Sequence, residues 1–210
     1  MKVMVFGDTK QGADHTENED SMLIDTTRNL YAIADGVTIP EGGKEASSRA
    51  VTYLENVFNY DLKKAVEEVN KKILEDKDVL RVGYTTIVAT ALKNNILEVA
   101  NVGDTPAFLV RDNKIVMLTV PDKFLTGSLT QALGEQNVKV HVTKEKLKQN
   151  DYVILASDGI TNILTEEEIL EIVKKYKDPK KIVESTFVAV EEEPQTYNDD
   201  KTMIVPKVSE

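Results

Sequence analysis

The order of its elements predicts an α+β chain, with antiparallel sheets and helices laid outside them. Three observations carry this. Short runs of β-forming residues open the chain at Val3–Phe6, Met22–Ile24 and Leu30–Ala34. The period then lengthens to that of helices: Ala46, Ala50, Tyr53, Leu54 and Val57 share one face, and Leu62, Ala65, Val66, Val69 and Ile73 share another. Four runs of β-formers follow, at Thr86–Leu92, Ile96–Val102, Ala107–Arg111 and Ile115–Thr119. Turns such as Asn94-Asn95 and Asp112-Asn113 join them, so they read as one antiparallel meander.

The remaining elements follow in order. The second strand enters from the acidic pair Glu19-Asp20, and Thr26–Asn29 suits a hairpin to the third. Pro40 and Gly42-Gly43 interrupt the chain before the first helix. Val138–Val142 and Tyr152–Ala156 add strands. Thr165 with Glu168 forms a capping box opening the helix Glu166–Lys175. Asp178 caps the helix Pro179–Val190, whose first position Pro179 takes. Met203–Val205 closes the chain as a strand. Met4, Met22 and Met117 sit in apolar runs and are expected in the core, Lys144–Lys148 on a solvated face, and Glu191–Glu193 at a frayed helix end.

Composition narrows the function. With 210 residues, 41% of them apolar, and no Pro-, Gly- or Ser-rich linker, one domain over 1–210 is expected. A net charge of −10 argues against nucleic acid or an anionic membrane as partner. The chain has no cysteine, which excludes disulfides, zinc–thiolate sites and a cysteine nucleophile. Met1–Gly7 is too quickly interrupted for a signal peptide, and no apolar run approaches transmembrane length. A soluble cytoplasmic protein is expected.

Carboxylates stand where strands stop. Leu30–Gly36 ends in Asp35-Gly36, Leu97–Asp104 in Gly103-Asp104, and Tyr152–Gly159 in Asp158-Gly159, while Asp199-Asp200 precedes the last strand. Any one Asp-Gly pair also reads as an ordinary turn. The recurrence suggests a single site. Carboxylates within ~4 Å repel by roughly 4 kcal/mol per pair at an effective dielectric of about 20, so such a site needs protons or a cation. Hard divalent ions prefer carboxylate oxygen.

Seven segments, in order, resemble the metal-dependent serine/threonine protein phosphatases of type 2C: Asn18–Ser21, Ala34–Gly36, Gly83–Thr86, Val99–Ala107, Leu129–Gly134, Ala156–Gly159 and Asn198–Thr202. The resemblance spans nearly the whole chain. It implies a four-layer α-β-β-α sandwich, two antiparallel sheets face to face with helices outside and a metal site at one end. It implies a manganese or magnesium enzyme with two ions and a weaker third, hydrolysing phosphoserine and phosphothreonine in proteins as the counterpart of a kinase pathway. Asp35 would bridge the two ions, the Gly36 carbonyl would join it, and Asp158 and Asp199 would complete the first metal. Asp20 would hold waters on the second with Glu19 in support, and Asp104 would bind the third. The threonines of Gly83–Thr86 read as strand packing and hydrogen bonding, and His141 as a strand residue rather than a ligand.

Three departures from the family pattern stand out. His15 occupies the place of an arginine that holds the substrate phosphate, a single donor in place of a charged fork; Lys10, Lys44 or Arg49 could compensate. Val37 stands where a proton-donating histidine often follows the Asp-Gly pair. Between Thr119 and Leu129 there is room for a loop but not for the helical flap of bacterial members. A degenerate member acting as a metal-binding regulatory module is the alternative reading, and a two-metal nuclease suits the carboxylates but not the net charge.

Overall fold

The computed structural model describes residues 2–77, 80–194 and 196–209. Among these, two five-stranded antiparallel sheets lie face to face. One has the order β1 (Lys2–Lys10), β10 (Lys201–Ser209), β9 (Tyr152–Ala156), β6 (Ala107–Arg111), β7 (Lys114–Met117). The other runs β2 (Asp20–Asp25), β3 (Leu30–Asp35), β4 (Ile87–Lys93), β5 (Ile96–Val102), β8 (His141–Lys146). Helices α1 (Gly43–Val57) and α2 (Leu62–Lys77) cover the second sheet, and α3 (Asp158–Thr161), α4 (Glu166–Tyr176) and α5 (Pro179–Glu192) cover the first. This is the four-layer α-β-β-α sandwich.

Strand alternation assigns the layers. In β3, Tyr31 and Ile33 point to the opposite sheet, while Leu30, Ala32 and Ala34 point to α1 and α2. In β9, Val153 and Leu155 face between the sheets, while Tyr152, Ile154 and Ala156 meet α4 and α5. Both faces of these strands are therefore buried, so they read as continuous apolar runs with no polar alternation. The small Ala32, Ala34, Ala46 and Ala50 are all fully buried and let α1 approach the sheet closely. On the far side, α4 begins at the capping box of Thr165 and Glu168, and the Asp178 side chain accepts from the Lys181 N–H to start α5. Both caps are as the sequence predicts.

Four expectations are corrected. The supposed single meander is two hairpins in different sheets: β4–β5 belongs to one, β6–β7 to the other. Their turns form where expected, with Asn94, Asn95, Asp112 and Asn113 all at positive φ. The chain changes sheets across Gly103–Pro106, between β5 and β6. A strand period of two is the same in either sheet, so sequence alone could not assign them. The strand predicted at Val138–Val142 instead runs His141–Lys146. It is an edge strand with alternating exposure, and its lysines made it read as a solvated face. β1 and β10 are longer than their apolar centres because backbone pairing continues through polar residues, from Lys2↔Ser209 to Lys10↔Lys201. Met22 packs between the sheets, but Met4 and Met117 are 45% and 39% exposed, so they are not core.

Candidate metal centre

The pairing of β2 with β3 sets Asp20 directly opposite Asp35. The Gly36 N–H continues the ladder by donating to the Glu19 carbonyl at 3.2 Å. Two threonines then clamp the Asp35 backbone: Thr86 N–H and Thr85 Oγ1 each donate to its carbonyl at 2.8 Å. Thr86 Oγ1 accepts from the Asp35 N–H at 3.3 Å and meets Thr105 Oγ1 at 2.5 Å. The sequence expectation of hydrogen-bonded threonines holds. What it missed is that their partner is Asp35.

The glycines after the aspartates are close-approach positions. A Cβ on Gly36 would lie 2.5 Å from the Gly43 backbone, and one on Gly159 would lie 2.0 Å from the Asp200 carbonyl oxygen. Neither Asp-Gly pair is a hairpin: Gly36 follows the end of β3, and Asp158-Gly159 opens α3. Gly36 lets the end of β3 pack against the start of α1, and Gly159 lets the start of α3 pack against the segment before β10, which brings the carboxylates to one place.

Asp35, Gly36, Asp104, Asp158, Asp199 and Asp200 line a single cavity of about 190 Å³, with His15, Glu19 and Gly127 also on its wall. Asp20 lies behind it, 3% exposed, and Asp20 Oδ2 accepts from Thr202 Oγ1 at 2.6 Å. Enclosure by protein and the charges of Asp20, Asp158, Asp199 and Asp104 hold the Asp35 carboxyl well above the usual carboxylate range. Burial, then Asp199 and Asp104, push Asp158 up to about 6, against the pull of Asp35 and Lys123. Burial raises Asp20 to about 7, although Thr202 and Ser157 oppose it. No lysine or arginine among the described residues forms an ion pair with Asp20, Asp35, Asp158 or Asp199; Asp104 has Lys123 at 3.4 Å. Mutually repelling, enclosed, all-oxygen donors short of positive charge fit a hard divalent cation.

His15 is held inside this acidic wall. Nε2 lies 2.9 Å from Asp199 Oδ1 and 2.6 Å from the Tyr197 hydroxyl, while Nδ1 faces Asp200 at 3.3 Å and Glu19 at 3.5 Å. Its side chain is only 6% exposed, and His15, Asp199 and Asp200 form a group able to hold a metal ion among the described residues. The proposed compensating cations are engaged elsewhere. Lys10 pairs with Glu191, Arg49 with Asp76, and Lys44 donates to the Asp20 carbonyl.

Asp200 is the residue the sequence reading passed over. Its buried carboxylate accepts from Gly12 N–H and Glu19 N–H, each at 2.7 Å, and thereby ties the 12–19 loop to the site. The Asp-Asp doublet was visible in the sequence, but not that both members reach the cavity or that Asp200 also holds the 12–19 backbone. Val37 lies on the cavity wall, and 119–129 is a loop without a helix, as the short spacing implied.

The fold is shared with solved metal-dependent serine/threonine phosphatases. A family model described as stage II sporulation protein E (SpoIIE) matches residues 46–209, and the chain belongs to that family. The match includes Asp104, Asp158 and Asp199, while Asp20 and Asp35 lie before it. The chain is 27% identical over 208 residues to the serine/threonine phosphatase stp of Listeria welshimeri, covering 80% of this chain and 82% of that one. It is 28% identical over 178 residues to the probable protein phosphatase 2C 17 of Arabidopsis thaliana, covering 68% and 62%. Among solved structures, the PstP catalytic domain in complex with two manganese ions superposes with a TM-score of 0.88 at 22% identity, over 99% of each chain. Stp1 from Staphylococcus aureus gives 0.87 at 20%, over 100% of this chain and 96% of that one.

Proposed function

We propose that the chain is a metal-dependent protein phosphatase that hydrolyses phosphoserine and phosphothreonine monoesters, with 1–210 acting as one phosphatase domain. The convergence of Asp35, Asp104, Asp158 and Asp199 on one cavity carries this reading. Bound manganese or magnesium would supply a water of lowered pKa and positive charge for the phosphoryl oxygens. Asp35, with the Gly36 carbonyl, would hold the two principal ions; Asp158 and Asp199 would complete one site, Asp20 with Glu19 would support the second, and Asp104 would hold the third. Thr85 and Thr86 keep the Asp35 backbone from turning away. Loading the centre displaces protons, because enclosure favours the protonated forms of Asp20, Asp35 and Asp158 in the metal-free protein.

His15 receives a different proposal from the one its sequence position suggested. Both ring nitrogens face carboxylates, so a substrate phosphate would have to displace Asp199 or Tyr197 to reach Nε2. We assign His15 to fixing Asp199 and Asp200. His15→Ala should then raise the manganese requirement more than the Michaelis constant.

Within the described residues, no helix is long and apolar enough to cross a membrane. A cytoplasmic setting and a serine/threonine kinase acting on the same proteins belong to the proposal, since a kinase must make the phosphoester that this site consumes. Hydrolysis of an aryl phosphate and of a phosphothreonine peptide, each with and without manganese, tests it. Metal-dependent turnover of both is expected. Metal binding without turnover of either would support the regulatory-module alternative.

A further inference from the structure

The loop 120–131 brings onto Asp104, from the neighbouring cleft, a residue that the mechanism above does not use. Lys123 Nζ lies 3.4 Å from Asp104 Oδ2. The approach is held from behind by Asp122, which is buried and whose carboxylate is fully engaged. Oδ2 accepts from the Gly103 N–H at 3.0 Å and from Gln131 Nε2 at 2.6 Å, and Oδ1 meets His141 Nε2 at 2.8 Å. The Asp122 N–H donates to the Gly103 carbonyl at 3.0 Å, so Asp122 and Gly103 exchange two hydrogen bonds. Asn101 Nδ2 braces the same turn from the Gly103 and Val120 carbonyls, at 3.2 and 2.8 Å. The next residue on each segment, Lys123 and Asp104, is thereby brought into contact. A bridge between Lys123 and Leu129 closes the loop, and Gly127 and Leu129 reach the cavity wall.

We propose that Lys123 is a tethered cation that competes with a divalent ion for the Asp104 carboxylate, so that metal at Asp104 and the seated loop exclude one another. The inference rests on the metal-centre reading, with Asp104 as the weaker third ligand. A carboxylate beside Asp158 and Asp35 needs positive charge, and among the described residues Asp104 is the cavity aspartate that has an ammonium in ion-pair range. A divalent ion arriving there must displace Lys123 or accept its repulsion, and either lowers affinity at this position selectively. Among the described residues no other cavity aspartate pairs with a lysine or arginine; Asp199 instead faces His15 Nε2 at 2.9 Å.

Manganese binding to the full chain, followed by calorimetry and by the paramagnetic resonance signal of free ion, tests this without reference to turnover. Lys123→Met keeps the length of the side chain and removes the charge. It should tighten the weakest manganese step by about two- to fivefold, the range expected for a partly exposed ion pair. Lys123→Arg should stay close to the parent, and Asp104→Asn should remove the weak step in both the parent and the Lys123→Met background. A weakest step unchanged or weakened in Lys123→Met overturns the tethered cation. A parent that binds no manganese at any step overturns the metal centre instead, and the two failures are distinct.

Discussion

Buried carboxylates occur at two ends of this molecule, with opposite electrostatics. Asp151, just ahead of β9, is 2% exposed and fully answered. Arg111 Nε and Nη2 reach its two oxygens at 3.0 and 2.6 Å, the Lys148 N–H adds a bond at 2.6 Å, and Arg111 also pairs with Glu145. These partners hold the Arg111 guanidinium pKa above its usual value. At the far end of the same strand, Asp158 joins Asp35, Asp199 and Asp104 with far less compensation, and its carboxyl rises to about 6. A carboxylate buried for structure arrives with its counter-ion on the chain. One that must take its counter-ion from solution leaves that place open. The contrast separates a structural acid from a candidate ligand without reference to any motif.

The comparison can be broken or sharpened by mutation. The largest expected effect is Asp35→Ala, which should lower phosphatase turnover on the order of a thousandfold or more by removing the bridging ligand. The metal-free melting temperature should hold or rise, because a carboxyl whose ionisation is opposed by burial and by the neighbouring acids is gone. Near-parent turnover would remove Asp35 from the bridging role. At the other end, Arg111→Ala should cost about 3 kcal/mol in denaturant unfolding, since it leaves the buried Asp151 carboxylate without its counter-ion and, among the described residues, with only the Lys148 N–H as partner. Manganese stoichiometry should be unchanged. A stable Arg111→Ala protein would show that burial alone does not mark the pair as structural.

The pH dependence of stability has a definite sign. Asp20 and Asp158 have folded pKa values near 7 and 6 against the ordinary 3.8, so folding favours their protonated forms. Their contribution is fully present below the unfolded value and is lost as pH rises through the folded one. The metal-free protein should therefore melt at lower temperature at pH 8 than at pH 5, and manganese should reverse the loss. A metal-free melting temperature that climbs from pH 5 to 8 would contradict the shifts. The smallest effect is expected for Asp104→Ala, whose turnover should approach the parent's once manganese is raised. A large loss at saturating metal would place Asp104 among the principal ligands.

Much of this was legible in the sequence because it depends on local chemistry. Asn94-Asn95 and Asp112-Asn113 specify tight turns, Thr165 with Glu168 and Asp178 with Pro179 specify helix starts, and aspartates at strand ends specify a site. What could not be read depends on which distant segments meet. Nothing in β6 and β7 says that they leave the sheet of β4 and β5. His15 could be placed beside Glu19, but its contacts with Tyr197, Asp199 and Asp200 arise only when the chain's two ends come together. Nothing in the sequence singles out Lys123, which the Asp122–Gly103 exchange brings onto Asp104.

The central claim is that the open carboxylate cluster takes its counter-ions from solution and works only with them. Exhaustive chelation of the parent, followed by manganese titration with bound ion and phosphopeptide hydrolysis measured on the same samples, tests it most directly. The account predicts no turnover without metal, and activity rising with the tight ions bound. Full activity in a demonstrably metal-free sample would contradict it.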